Sequence, residues 1–344
     1  MKRWQFWVGV GISAFFLYRV LHDIEFNKLW QDVQAANYWW IIPGVAVYFV
    51  AVWVRAWRWH YLLRPLKAIS TRKMFPIVTI GYAGNNIYPA RAGEVLRAVI
   101  LKRHEDVPVS ASLATIIVER VFDGVVMLSF IFLNLPELAR MTEDVKVFGG
   151  LTIQSLALVG SLAFLGALAV FLIAAMFPAG AERVVNWFVN FLVPVRFRER
   201  VLDLSARFLG GLESLRSPRE ALMVFLTSVV IWLLETVKYW FVMYAFDFQV
   251  SFFTLMLMNG VVNLATTIPS APGYLGTFDL PGIAVLGAYG IDKEVATSYT
   301  FVLHFALWLP ITLLGLYYLT KEGVRWNQAV ESVQAEGKME GSEI

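Results

Sequence analysis

The feature that most constrains this chain is a series of apolar blocks, each near the ~20 residues a helix needs to cross a lipid bilayer. They fall at Trp4–Leu21, Tyr38–Trp57, Ser112–Leu133, Leu151–Phe177, Ala221–Phe246 and Ala296–Thr320. Composition agrees. Of 344 residues, 58% are hydrophobic and 16% charged, against ~25% charged in soluble domains, so too little polar surface exists to face water. Aromatic residues stand at block ends, as at Trp39, Trp40, Trp57 and Tyr317, where amphipathic rings favour the membrane interface. The chain reads as an all-α polytopic membrane protein. Its first block follows Met-Lys-Arg, but no small-x-small cleavage pattern follows Leu21, and it is read as a retained helix. Without cysteine, disulfides, thiolate catalysis and Cys-based metal sites are excluded.

Loop charge predicts orientation. The stretch Arg55–Lys73 holds six basic residues (Arg55, Arg58, Arg64, Lys67, Arg72, Lys73) and no acidic one, and Pro178–Glu220 holds seven arginines. By contrast, His22–Asn37 and Pro136–Gly149 are acidic on balance. Alternation of basic and acidic loops fits six crossings with both termini cytoplasmic, in a cell (inner) membrane. The net charge of +3 is then mostly a topology signal and does not argue for nucleic acid.

Two apolar stretches, Pro76–Arg103 and Phe252–Gly290, are broken midway, at Pro89/Gly93 and at Pro269/Pro272/Gly273/Gly276. An arm such as Pro76–Tyr88 gives about 20 Å of helix, short of a ~30 Å hydrocarbon core. Reading each stretch as a re-entrant hairpin preserves the charge alternation. Crossing–hairpin–crossing then occurs at residues 38–133 and again, upside down, at 221–320. Asn86 and Pro89-x-x-x-Gly93 are echoed by Asn263 and Pro269-x-x-x-Gly273. Inverted repeats with broken helices are a transporter architecture; chance recurrence of Pro and Gly kinks is the alternative. One membrane domain over residues 1–320 and a polar cytoplasmic tail over 321–344 are expected. Phe26/Leu29/Trp30/Val33, Val184/Trp187/Phe188/Phe191 and Val201/Leu204/Phe208/Leu212 form apolar stripes at helical spacing, which suit interfacial helices or loops packed on the bundle.

Charges inside apolar stretches cost at least ~2.5–3.5 kcal/mol each at a helix centre, so three groups demand explanation. The first break carries Asn85, Asn86, Arg91, Gly93, Glu94 and Arg97; the third crossing carries Glu119, Arg120 and Asp123; the fifth carries Glu235 and Lys238. A helix starting near Gly93 would offer free N–H groups to an anion, and Arg91 a fork of donors suited to phosphate. The alternative is a structural clamp in which these charges neutralise one another. Glu119 and Asp123, four apart, suit locking the third crossing to Arg91 or Arg97. His304, mid-crossing, suits a hydrogen-bonded packing role or a proton relay. No nucleotide-binding loop, metal-ligand cluster or nucleophile elbow is encoded. Neither a catalytic residue nor a cofactor or metal is therefore assigned. Gly81-x-x-Gly84 is read as hairpin packing.

The pattern N-N-x-x-P-A-R-x-G-E-x-x-R (Asn85 to Arg97), then E-R-x-x-D (Glu119 to Asp123), then P-x-x-P-G-x-x-G-x-x-acid (Pro269 to Asp279) resembles the transmembrane region of lysylphosphatidylglycerol synthases, the multiple peptide resistance factors. The resemblance runs over roughly Trp4 to Thr320. In that family the membrane region flips aminoacylated phosphatidylglycerol and a separate soluble domain makes it; no such domain is expected after the last crossing here. The last motif position is Asp279 where the family pattern suggests Glu. The resemblance implies a stand-alone lipid flippase. With the buried charges and the breaks, the substrate-binding residues expected are Asn85, Asn86, Arg91, Gly93, Glu94, Arg97, Glu119, Arg120, Asp123, Glu235, Lys238, Asn263, Pro272, Gly273, Gly276 and Asp279. A membrane-embedded transferase on lipid or polyprenyl phosphate, with Glu119 or Asp123 as base, and a non-catalytic partner of a lipid-modifying enzyme stay open. The partner expected in each case is a membrane lipid.

Overall fold

The computed structural model describes residues 3–22, 24–88, 91–141, 146–148, 151–152, 177–195, 218–268 and 270–321, with isolated positions between 155 and 205. Within them the chain is helical. The helices are α1 (Arg3–Leu21), α2 (Phe26–Ala35), α3 (Ile41–Leu63), α4 (Thr71–Ile87), α5 (Ala92–Glu105), α6 (Val109–Met141), α7 (Pro178–Leu192), α8 (Pro218–Met243), α9 (Phe252–Ala265), α10 (Asp279–Ala288) and α11 (Lys293–Lys321). The strands among the described residues are one short antiparallel pair, Lys146–Phe148 with Leu151–Thr152. The expected crossing Leu151–Phe177 and the stripe from Val201 lie largely outside the described residues, and the tail beyond Lys321 lies wholly outside them.

Three segments, Tyr38–Leu63, Arg219–Met243 and Lys293–Lys321, are long and apolar enough to cross a membrane. In α3 the reason these residues fold as they do is visible in the spacing. Gly44, Tyr48, Ala51, Val52, Arg55, Ala56, Trp59 and Leu62 recur at three and four and are buried, while Ile42, Val50, Trp53 and Trp57 on the other side are exposed. An exposed apolar stripe of this kind is stable against lipid tails and costly against water. The helix ends at Arg64, which is still in the helical region (φ −50°, ψ −40°), because Pro65 after it has no N–H to extend the hydrogen-bond ladder.

Three boundaries differ most from the sequence reading. The third crossing, expected at Ser112–Leu133, runs from Val109 to Met141, into the loop expected from Pro136. The crossing expected at Tyr38–Trp57 continues to Leu63, so Arg55 and Arg58 are not loop residues; both are buried on its inner face. The first arm of the broken stretch begins at Thr71 and keeps Pro76 inside the helix, which makes it longer than the Pro76–Tyr88 arm expected. Pro76 is tolerated because a membrane helix can lose one internal bond where neighbours enclose it. That arm ends where Tyr88 turns extended; the proline that follows, Pro89, is outside the described residues. The second stretch forms α9 and α10 joined by a short 3-10 turn at Pro272–Tyr274.

The packing of these helices is paired. The helices before the two breaks, α3 and α8, pack on each other; α4 packs on α11, and its counterpart α9 packs on α6. Within each set, α4 packs on α5 as α9 packs on α10, and α5 on α6 as α10 on α11. A glycine permits each cross-set approach. A Cβ on Gly315 of α11 would stand 2.7 Å from the Thr79 carbonyl oxygen of α4, and one on Gly260 of α9 would stand 2.9 Å from the Met127 carbonyl oxygen of α6. The space left where the two breaks meet positions the site.

Candidate functional site

A chamber of about 140 Å³ lies between the breaks. Its wall takes Tyr48 and Arg55 from α3, Tyr82, Asn85 and Asn86 from α4, Arg91 and Glu94 around the start of α5, and Arg120 from α6. The other set supplies Trp232, Glu235 and Lys238 from α8, Asn263 and Thr266 from the end of α9, Gly273, Tyr274 and Phe278 from the second break, and His304, Leu307 and Trp308 from α11. Two of the three non-glycine residues with positive φ among the described residues, Arg91 (φ 54°) and Tyr274 (φ 60°), are in this wall. Bulky side chains adopt that conformation only where surroundings impose it, and such strain concentrates at functional sites.

Charge in and behind the chamber is organised as a network. Arg55 pairs with Glu235 at 3.1 Å, and Lys238 pairs with the same carboxylate from one helical turn away. Glu94 receives Arg120 at 2.8 Å and Arg91 at 3.9 Å. Behind the wall, Arg58 grips Asp123 with two contacts, at 2.6 and 3.3 Å, and Arg97 meets Glu119 at 2.5 Å. Asp123 also accepts from the Trp232 indole at 2.9 Å and lies 3.3 Å from Arg120. Aromatic faces complete the cation shells: Arg55 stands 4.9 Å from the Trp232 ring centre, Arg97 4.6 Å from Trp59, and Lys238 4.6 Å from Tyr48. Such contacts strengthen when desolvated. Among the described residues no group of three or more His, Asp or Glu side chains is placed to hold a metal.

The expected locking of α6 to the first break occurs through Arg97, whose guanidinium reaches Glu119. Arg91 instead turns to Glu94 and to the Thr266 carbonyl, 3.3 Å away, bridging the first break to the second. Gly93 stands apart from the chamber. A Cβ there would meet the Gly81 carbonyl oxygen at 1.9 Å and Asn85 N at 2.5 Å, so it lets α5 close on α4. A helix does begin beside it, at Ala92, as expected, and Gly93 in its first turn faces α4. The Gly81-x-x-Gly84 pair forms the other side of the same contact, as expected.

On the second break, Asp279 is fully buried, accepts the Gly276 N–H at 2.8 Å, and meets His304 Nδ1 at 2.8 Å. His304 Nε2 lies 2.7 Å from the Gly273 carbonyl oxygen. A carbonyl only accepts, so Nε2 carries a proton; Asp279 and Nδ1 must then share another. The lone histidine is thus a brace for the break. Gly276 (φ 79°) packs against Phe16 and Ser13 of α1, and Pro272 and Asp279 line a second cavity. That cavity, about 620 Å³, is formed by Leu17, Ile87, Leu275, Phe301 and Phe305 together with Asn86, Gly273, His304 and Trp308, which it shares with the chamber. Leu275 and Phe305, which line this cavity, are also among the exposed apolar residues, and Phe305 is on α11, long and apolar enough to cross a membrane.

The sequence singled out nine of the chamber residues: Asn85, Asn86, Arg91, Glu94, Arg120, Glu235, Lys238, Asn263 and Gly273. Arg55 and Arg58 were missed as site residues because they stand where an apolar block ends. Their spacing on the Tyr48–Ala51–Val52 face would have revealed them as inward.

A family model described as the lysylphosphatidylglycerol synthase TM region matches residues 6–315. Among curated proteins, the chain is 28% identical over 308 residues to Glycosyltransferase AglD of Haloferax volcanii, an alignment covering 80% of this chain and 47% of that protein. It is 22% identical over 312 residues to a UPF0104 membrane protein of Methanocaldococcus jannaschii, covering 88% and 91%. With a UPF0104 membrane protein of Methanothermobacter thermautotrophicus the identity is 23% over 319 residues, covering 90% and 92%. The chain therefore spans about half the length of the glycosyltransferase and nearly all of the two UPF0104 proteins.

Proposed function

The chain belongs to the lysylphosphatidylglycerol synthase transmembrane-region family, and from that membership and the chamber we propose that it moves an amphipathic lipid with an anionic phosphate head group between bilayer leaflets. The observation that carries this reading is the junction of two unlike cavities. The small chamber is charged and polar; the larger cavity beside it is apolar, and its lining residues Leu275 and Phe305 are exposed. Head and tail of one amphiphile match the two halves. Arg91, Arg55 and Lys238 hold the phosphate, and Asn86 and Asn263, one at each break, border the head group.

The architecture we propose is six crossings with two re-entrant hairpins, α4–α5 and α9–α10, in an inverted repeat of residues 38–133 and 221–320. The reciprocal packing of α3 with α8, α4 with α11 and α9 with α6 supports it, since each pairing has a counterpart under exchange of the repeats. Basic loops then face the cytoplasm, with both termini, in a cell (inner) membrane. A site at a repeat interface, bordered by broken helices, can be reached alternately from the two sides.

The name of the Haloferax relative supports a second reading, a transferase acting on a lipid or polyprenyl phosphate, with Glu119 or Asp123 as base. Against it, both carboxylates are clamped by Arg58 and Arg97 behind the wall, where no acceptor reaches them, and a base must touch the group it deprotonates.

The deciding experiment reconstitutes the purified protein in liposomes with labelled phospholipids. Label is expected to exchange between leaflets and to be chemically unchanged by mass spectrometry. Covalently altered lipid that disappears in Glu119→Gln or Asp123→Asn, with no exchange above empty liposomes, establishes the transferase instead.

A further inference from the structure

The charges around the chamber do not cancel. Glu235 is shared by Arg55 and Lys238, and Glu94 by Arg91 and Arg120. Each carboxylate thus serves two cations, and each trio keeps one positive charge. Behind the wall, Asp123 and Glu119 balance Arg58 and Arg97. However the contacts are apportioned, six cations face four carboxylates. The His304–Asp279 pair on the rim adds nothing, because a single shared proton leaves it at zero charge on either atom. The chamber wall therefore carries two uncompensated positive charges among the described residues.

Positive charge without a counter-charge is costly in a low-dielectric interior. Arg55 and Lys238 are buried and Arg91 and Arg120 part-exposed to the chamber, so an occupant that matches the excess brings two negative charges. Resting on the lipid-transport reading above, we propose that the head group is a phosphomonoester, making the substrate a lipid monophosphate rather than a phosphodiester. A phosphomonoester carries about −1.5 to −2 at neutral pH, with a second pKa near 6; a diester carries one charge and would leave one cation unmatched. Size agrees. The chamber of about 140 Å³ suits a small head group, and the bulky apolar part has the separate cavity of about 620 Å³. A donor borders the chamber as well: Arg55 lines it, with its side chain 7% exposed.

The test compares matched lipids that differ by one methyl ester, at about pH 8, where a monophosphate is dianionic. Phosphatidic acid is set against phosphatidylmethanol with the same acyl chains, and farnesyl phosphate against its methyl ester. Leaflet exchange in proteoliposomes and competition binding to the purified protein are read for both pairs. In at least one pair the monophosphate is expected to bind and exchange at least tenfold better than its ester. Equal behaviour within both pairs, with exchange present, overturns the monophosphate assignment and leaves lipid transport standing. No exchange and no binding of any of the four lipids overturns both. Inorganic phosphate competing as strongly as the lipids overturns the lipid part. Arg91→Gln and Lys238→Gln each remove one positive charge and should cut the preference for the monophosphate to under threefold. An unchanged tenfold preference in folded protein of both variants contradicts the charge-matching argument.

Discussion

At the scale of single residues, the cations proposed to hold substrate differ from those that hold the fold. Arg58 is 1% exposed and gripped by Asp123 and by the Ser228 hydroxyl. Removing one partner of such a buried pair strands the other, at about 3–5 kcal/mol. Arg58→Ala and Asp123→Asn should therefore lower the Tm in detergent sharply. Arg91 is partly exposed, and its side-chain contacts among the described residues are long, at 3.3 and 3.9 Å. Arg91→Ala should lose transport with a small change in Tm, and Arg91→Lys should restore it only in part, because an ammonium lacks the planar fork. Normal transport in a folded Arg91→Ala protein would return this residue to the clamp reading. Outside the membrane, hydrogen bonds from Lys73 and Lys67 hold the Glu105 carboxyl below its ordinary value. Such a group adds stability above the unfolded pKa, ~4.3, and loses it as pH falls through the lowered one. A Tm series from about pH 6 to pH 3 should show an acid-side drop that Lys73→Ala makes shallower, by a small amount since both lysines are well exposed. Much of this residue-level picture was legible: charges in apolar sequence are costly, so Arg91, Glu94, Arg120, Glu235 and Lys238 announced themselves. Arg55 and Arg58 did not, because an arginine at a block end looks the same whether it turns outward to water or inward to Asp123. Tyr82, Trp232 and Trp308 carry no such signal at all, since aromatic residues are ordinary in a membrane helix.

At the scale of elements, glycines set how closely helices approach. A Cβ on Gly315 would stand 2.5 Å from the Ala83 Cβ and 2.7 Å from the Thr79 carbonyl oxygen, whereas one on Gly287 would meet nothing within 4 Å. Gly315→Ala should cost about 1–3 kcal/mol through overpacking and Gly287→Ala almost nothing, as thermal unfolding of the pair would show. Gly93→Ala should be worse, because it drives α5 off α4, and equal melting of Gly93→Ala and Gly287→Ala would contradict the packing described. The two breaks were legible from Pro and Gly positions in otherwise apolar sequence. The true extents of α3 and α4 were not. Hydropathy falls at Arg55 and rises only at Pro76, but helical hydrogen bonding runs past the first point and begins before the second. The brace of Asp279 by His304 joins residues 25 apart across a turn, a proximity that no local pattern encodes.

At the scale of the whole molecule, the claim is a carrier whose chamber opens to each side in turn. Loop charge and reciprocal helix packing both support the proposed inverted repeat. With Arg55 and Arg58 inside α3, the first basic loop still holds Arg64, Lys67, Arg72 and Lys73 without an acidic residue. Single cysteines at Asn27 and Lys293 should label from outside, and those at Lys67 and Arg198 only after permeabilisation; external labelling of either of the latter would undo the topology. Because the chain has no cysteine of its own, the chamber itself can be probed in the same way. Thr266→Cys places one thiol in the chamber wall with little change in side-chain size. A small, membrane-impermeant methanethiosulfonate reagent should modify it from either face of sealed vesicles of known orientation, and a bound lipid substrate should slow both reactions. Modification from one face only, with or without lipid, would contradict alternating access and with it the carrier.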